Sequence, residues 1–151
     1  MLKWAKMTCL LSLFCAAANA NPTVEREVQS ILDKYTASVK TLDMTLAQSI
    51  WSQSQAVSMI TPRAHQSGWE AVSGGFYQGA MASFSDRTLV LRDIAIHPLG
   101  ADSAWAEFDW RFTATTSTGK QIVHDGRESQ LLHKEADGWK IVHVHYSRLP
   151  E

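Results

Sequence analysis

The stretch Arg127–Ser147, RESQLLHKEADGWKIVHVHYS, reads as two strands joined by a tight turn. Asp137-Gly138 is a two-residue hairpin signal, because that turn requires positive φ, which Gly and Asp tolerate. Trp139–Ser147 then has the β-branched and aromatic content of a strand, yet it carries His143, His145 and Tyr146. In strict alternation His143 and His145 share a face with Trp139, Ile141 and Ser147. Val142, Val144 and Tyr146 share the other. Only one of these sets can point into a core, and these residues alone leave both choices open.

The pattern continues outward from this hairpin. Lys120–Lys134 is a long strand with Gly126 as a candidate bulge, entered by a turn at Ser117-Thr118-Gly119. Ser103–Thr115, SAWAEFDWRFTAT, alternates Ala104, Ala106, Phe108, Trp110 and Phe112 against Trp105, Glu107, Asp109 and Arg111. Thr88–His97 is a further strand, stopped by Pro98-Leu99-Gly100. Upstream the period becomes helical. Asn21-Pro22 starts a helix carrying Val24, Val28, Ile31, Leu32, Tyr35 and Val39 on one stripe. A second helix spans Asp43–Trp51, a short strand Gln55–Ile60, and a third helix Trp69 to about Ser83, weakened by Gly74, Gly75 and Gly79. Three helical pieces followed by a four-stranded meander predict an α+β fold with helices on one face of a curved sheet.

The first twenty residues follow other rules. Lys3 and Lys6 precede an apolar run, and Ala18-Asn19-Ala20 is a small-x-small cleavage site. This is the pattern of a secretory signal peptide, with cleavage expected after Ala20 and a bacterial periplasmic or secreted destination for one domain over residues 21–151. Cys9 and Cys15 both lie in the leader, so the remainder has no thiol. Phe14 occupies a position where a lipid-attachment signal at Cys15 needs a small residue. No later apolar run approaches bilayer length, so no membrane role is expected after cleavage. Of 151 residues 45% are hydrophobic and 19% charged, with a net charge of -1. That is a globular composition, without the basic surface that nucleic acid requires.

The order of elements resembles the nuclear transport factor 2-like superfamily, which includes SnoaL-like proteins and ketosteroid isomerases. The resemblance covers Val24 to Leu149. It implies a cone, a bent mixed sheet wrapped by three N-terminal helices, with a pocket at the open end. Glu128–His133, Asp137-Gly138 and Trp139–Ser147 are similar, in order, to the end of the calcium/calmodulin-dependent protein kinase II association domain, and Trp110–Thr113 to a segment one strand earlier. In that domain arginines line the pocket. Arg111 matches one of them, while the other two fall on Gln130 and Tyr146. The resemblance therefore implies Arg111, Gln130 and Tyr146 inward. His143 and His145 would lie on an outer face that pairs between subunits, with Phe108, Trp110 and Phe112 buried in a dimer. Hydrophobic alternation prefers the reverse orientation of Arg111.

The candidate ligand-binding residues are Arg111, Gln130, Tyr146, Arg127, Tyr77, His143 and His145, and the catalytic candidates are Asp109, Tyr146 and His145. An inward Asp109 in an apolar cone would act as a general base. Its alternative is a solvated face, and Tyr77, Trp69 and Trp51 are equally readable as core. A His-x-His pair on one strand also suits a metal, but it needs a third ligand, and His124 and His133 have opposite parity. No phosphate loop or zinc motif occurs. Neither metal nor cofactor is expected. The functional expectation is an exported protein that holds a small molecule, anions included, and self-associates as a homodimer or larger through its sheet. The alternative is an isomerase, dehydratase or cyclase using pocket acid–base groups.

Overall fold

The computed structural model describes residues 21–150; the expected leader, residues 1–20, and its cleavage site lie outside them. Helix α1 (Pro22–Thr41) opens where Asn21 Oδ1 accepts the backbone N–H groups of Thr23 and Val24. Its stripe from Val24 to Val39 is buried as the 3.6 period requires. Helix α2 (Met44–Ile50) is capped by Asp43, whose Oδ1 accepts Leu46 N–H at 2.9 Å. Strands β1 (Ser58–Ile60) and β2 (His65–Ser67) form a hairpin closed by Thr61, whose N–H donates to Ala64 O at 2.8 Å. The sequence reading lacked β2, a three-residue polar strand with no periodic signature.

Helix α3 (Trp69–Val72) continues as a π-helical segment, Ser73–Ala80, and a 3₁₀ turn, Met81–Ser83. Three glycines in this span weaken ordinary α winding. Four long strands follow: β3 (Phe84–Pro98), β4 (Ser103–Thr116), β5 (Gln121–Glu135) and β6 (Gly138–Arg148). The sheet order is β2-β1-β6-β5-β4-β3, antiparallel except for the parallel β1–β6 pair. The result is an α+β cone: a curved, unclosed mixed sheet with the helices against its inner face. Register shifts in β3 fall around Asp86 and Asp93, both at positive φ, and such bulges bend an edge strand.

Alternation along β4 sends Ala104, Ala106, Phe108, Trp110, Phe112 and Ala114 inward, all buried. Glu107, Asp109 and Arg111 therefore lie on the outer face, and the inward Arg111 implied by the resemblance is corrected. The physical reason is area: burying three aromatic rings is worth about 1.5–3 kcal/mol each, and the reverse orientation would also strand charges in the core. The same finding removes the aromatic dimer face, since Phe108, Trp110 and Phe112 fill the cone.

The last strand evades the choice posed by strict alternation. Leu132 pairs with Ile141, and Leu131, its neighbour on β5, pairs with His143, so Val142 is an extra residue in β6. This bulge reverses the parity. Ile141 and Val144 are both fully buried, while His143 and His145 sit on the outer face. Gly126 is not a bulge: Trp110–Gly126 and Gly126–Arg148 pair in unbroken register. Instead, a Cβ there would collide with the Trp110 indole and Ser147 O. On the other side of the hairpin Glu27 of α1 accepts hydrogen bonds from Lys134 Nζ at 2.8 Å and Trp139 Nε1 at 2.6 Å, fastening helix to sheet.

Candidate functional site

The cone holds a pocket partly open to solvent, with an interior volume of about 60 Å³. Its walls are apolar and come from every layer: Val39 of α1, Phe76 of the π-helical segment, Leu89 of β3, Trp110 and Phe112 of β4. Gly126 matters here, because the absence of a side chain lets the Trp110 indole lie against β5. The polar lining groups are Tyr35, His124, Glu128, Tyr146 and Arg148.

Glu128 is the unusual member. It is 5% exposed, in a wall otherwise built of rings and aliphatic chains. Burial raises its carboxyl from 4.5 to about 7, against the opposing hydrogen bonds of Gln130 and Tyr35. Gln130 Nε2 donates to Glu128 Oε1 at 2.7 Å. The Tyr35 hydroxyl, fully buried, is raised well above its usual range by burial first and by Glu128 next. Across the β5–β6 pair, directly opposite Glu128, stands Tyr146, its ring edge-on to Trp110 at 5.7 Å between centroids. Burial, then the Glu128 charge, raises the Tyr146 hydroxyl, so it stays protonated as a donor. Among the described residues Trp110 Nε1 and Gln130 Oε1 are buried without a hydrogen-bond partner. Chemically, the arrangement offers one carboxyl that ionises near neutrality beside a phenol donor in a mostly apolar wall.

The sequence-derived candidates divide cleanly. Tyr146 lines the cavity, and Gln130, 1% exposed, holds Glu128 from beneath. Tyr77 is core: its hydroxyl accepts Trp51 Nε1 at 3.1 Å and meets Ser38 Oγ at 3.0 Å, and burial pushes it up to about 12. Trp69 tilts against both rings. Arg111 is exposed and bonds Asp125 through Nε and Nη2, each at 2.9 Å, with Arg92 on the same carboxylate at 3.1 Å. Arg127 is exposed beside Asp109 at 3.7 Å on the outer face, so neither reaches the cavity. His143 Nδ1 meets Ser58 Oγ at 2.6 Å, and burial, then His145 and His65, lower its pKa. His145 is exposed in the same outer row as His65, both paired to Ile60. Among the described residues no group of three His, Cys, Asp or Glu side chains is placed to hold a metal.

Sequence reasoning missed Glu128, Tyr35, His124 and Arg148 as lining groups. One signal was present. Glu128 has the parity of Gln130, so an inward Gln130 carries Glu128 inward with it. The rest was hidden because Glu128 sits among polar neighbours and breaks no hydrophobic run.

The family described as SnoaL-like domain matches residues 28–150. A nuclear transport factor 2-like superfamily protein from Salmonella enterica serovar Typhimurium is 40% identical, with a TM-score of 0.83 over 87% of this chain and 95% of that one. A candidate calcium/calmodulin-dependent protein kinase II association domain from Xanthomonas campestris is 20% identical, with a TM-score of 0.72 over 83% and 89%. A ketosteroid isomerase-like protein from Erwinia carotovora atroseptica is 17% identical, with a TM-score of 0.70 over 83% and 96%. At such identities the last two speak for the fold alone. No curated protein matches the chain.

Proposed function

The chain belongs to the SnoaL-like domain family of the nuclear transport factor 2-like superfamily, and we propose that it holds a small, mostly apolar molecule in its cavity and moves a proton there, with Glu128 as the base. One observation carries this reading: a buried carboxyl lines an apolar cavity directly opposite a phenol donor. A base that ionises near pH 7 suits proton abstraction from carbon, because it is deprotonated at working pH and still basic enough to accept. Tyr146 would donate to the oxygen on which negative charge develops. Isomerisation and elimination both begin with this step. Asp109 and His145 have no part in it, since they face outward.

Nitrobenzisoxazole tests the reading directly. It is small, flat and apolar, and its ring opens to a coloured phenolate when one proton is removed. Turnover by the wild-type protein should rise with pH through about 7 and disappear in Glu128→Gln. Equal rates for the two proteins would remove Glu128 from this role.

Self-association through the sheet is a second element of the proposal. Its support is the outer face, where Val90 of β3 and Val123 and Leu131 of β5 are exposed aliphatic side chains on the two strands that flank β4. Export is the third, supported by the leader pattern in residues 1–20. The intact mass of the native protein checks it: a chain starting at Asn21 is expected, and a chain retaining Met1 would refute cleavage.

A further inference from the structure

Arg148 is the last residue of β6 and falls on the same face as Tyr146 and Val144, so its guanidinium stands at the cavity rim. Other arginines of the sheet are already committed. Arg92 and Arg111 hold Asp125, Arg127 lies beside Asp109, and Arg87 donates to Val39 O, Lys40 O and Phe84 O at the end of α1. The Arg148 guanidinium makes no hydrogen bond or ion pair among the described residues. It is not the counter-ion of Glu128 either, whose carboxyl is set by burial, Gln130 and Tyr35. Its position is nonetheless firm, because Leu149 N–H donates to Asp125 O at 2.9 Å and pins the strand end. The charged and titratable groups around it are His124 on β5, Glu128 one inward position deeper on β5, Tyr146 on its own strand, and Arg63, whose charge also reaches Tyr146.

A cation with no ion-pair partner among the described residues, standing at the rim of an apolar cavity, is a selective element. We propose that the cavity takes small aryl or alicyclic carboxylates, with the ligand's carboxylate on Arg148 and its ring against Trp110 and Phe112. The proposal rests on the cavity being the ligand site, and it adds the ligand's charge. Arg148 lies two strand positions beyond Tyr146, a rise of roughly 7 Å. The bound acid group would therefore sit about one ring's width from the Glu128–Tyr146 pair. A planar guanidinium suits a carboxylate because two parallel N–H donors match its two oxygens.

Calorimetric titration of the full-length protein with a graded series of aryl carboxylates, benzoate to naphthylacetate, and their matching carboxamides tests this at pH 6, where Glu128 is largely protonated and does not repel the acid. The acid of each binding pair should bind at least about tenfold tighter than its amide, the range of a charge-assisted hydrogen bond. Arg148→Ala should erase that preference while leaving the amides unchanged, and Arg111→Ala, on the outer face, should keep it. Equal affinity of acid and amide in the wild type overturns the proposal and leaves the cavity reading standing. A preference that survives Arg148→Ala overturns it as well. If no member of either series binds, this proposal and the cavity reading both fall.

Discussion

Glu128 and Tyr146 face each other directly across the β5–β6 pair, both on the cavity side of the sheet. Directly paired side chains have their Cβ atoms about 5 Å apart, close enough for each to sense the other's charge. The Glu128 charge contributes to the raised pKa of the Tyr146 hydroxyl. One strand pairing thus juxtaposes a carboxyl that ionises easily near neutrality with a phenol that does not.

The stability of the protein should fall as Glu128 ionises. Its folded pKa, about 7, lies above its ordinary value of 4.5, so between these values the folded state holds a proton that the unfolded state has released. The contribution of the neutral form is complete below about pH 4.5 and is lost as pH rises through 7, a change of about 3 kcal/mol. Asp125, whose pKa the Arg111 hydrogen bond lowers, acts in the opposite sense at more acidic pH. Urea midpoints at pH 5 and pH 8 read the effect. The wild type should be weaker at pH 8, and Glu128→Gln should lose that decline, keeping only the opposite, rising contribution of His143, whose pKa is lowered in the fold. An undiminished slope in the variant would place the titrating group elsewhere.

Gly126→Ala should damage both stability and the cavity. A methyl group at this position meets the Trp110 indole and the backbone oxygen of Ser147, and the backbone cannot yield. Overpacking of this kind costs about 1–3 kcal/mol. Urea unfolding should show the loss, and near-ultraviolet circular dichroism should show a displaced tryptophan. A neutral result would mean that β5 and β6 can part without penalty.

Deleting Val142 should be far more damaging than substituting it. The deletion removes the bulge, so the residues on either side of it can no longer all keep their faces. Either Trp139 and Ile141 or Val144 and Tyr146 must leave the interior. The expected loss exceeds about 4 kcal/mol, beyond the range of ordinary single changes. Val142→Ala, which keeps the residue count, should still unfold cooperatively, and similar stability for the two variants would contradict the role of the extra residue.

Leu131→Glu probes the proposed self-association. Leu131 is exposed on the outer face between Trp105 and His143. A charge there opposes burial against a second copy but leaves the monomer's core untouched. Sedimentation velocity should show the wild type as a dimer or larger and the variant as a smaller species. A monomeric wild type would remove the sheet face from consideration.

Much of the cone was legible in local pattern. Asn21-Pro22 and the stripe from Val24 to Val39 specify α1, because a capped 3.6-residue period has few other readings. The Asp137-Gly138 turn and the alternation through Phe108, Trp110 and Phe112 mark the strands around it. The orientation of β4 was legible too, and where the family resemblance argued for Arg111 inward, hydrophobic alternation was the better guide. A residue-by-residue match can preserve a strand while the pocket's charges are redistributed, here from Arg111 on the outer face to Arg148 at the rim.

The sequence by itself determined the elements, the hairpin and the apolar faces, since each depends on residues within one or two turns or on a strict period of two. Tertiary structure alone decided the face of the last strand and the identity of the buried acid. Val142 becomes an extra residue only by pairing β6 against β5, and a one-residue bulge leaves no mark in the composition of its own strand. Glu128 becomes a carboxyl that ionises near neutrality because the folded cone buries it, with Phe76 of the π-helical segment and Trp110 of β4 lining the same cavity, while the Tyr35 hydrogen bond only tempers the rise.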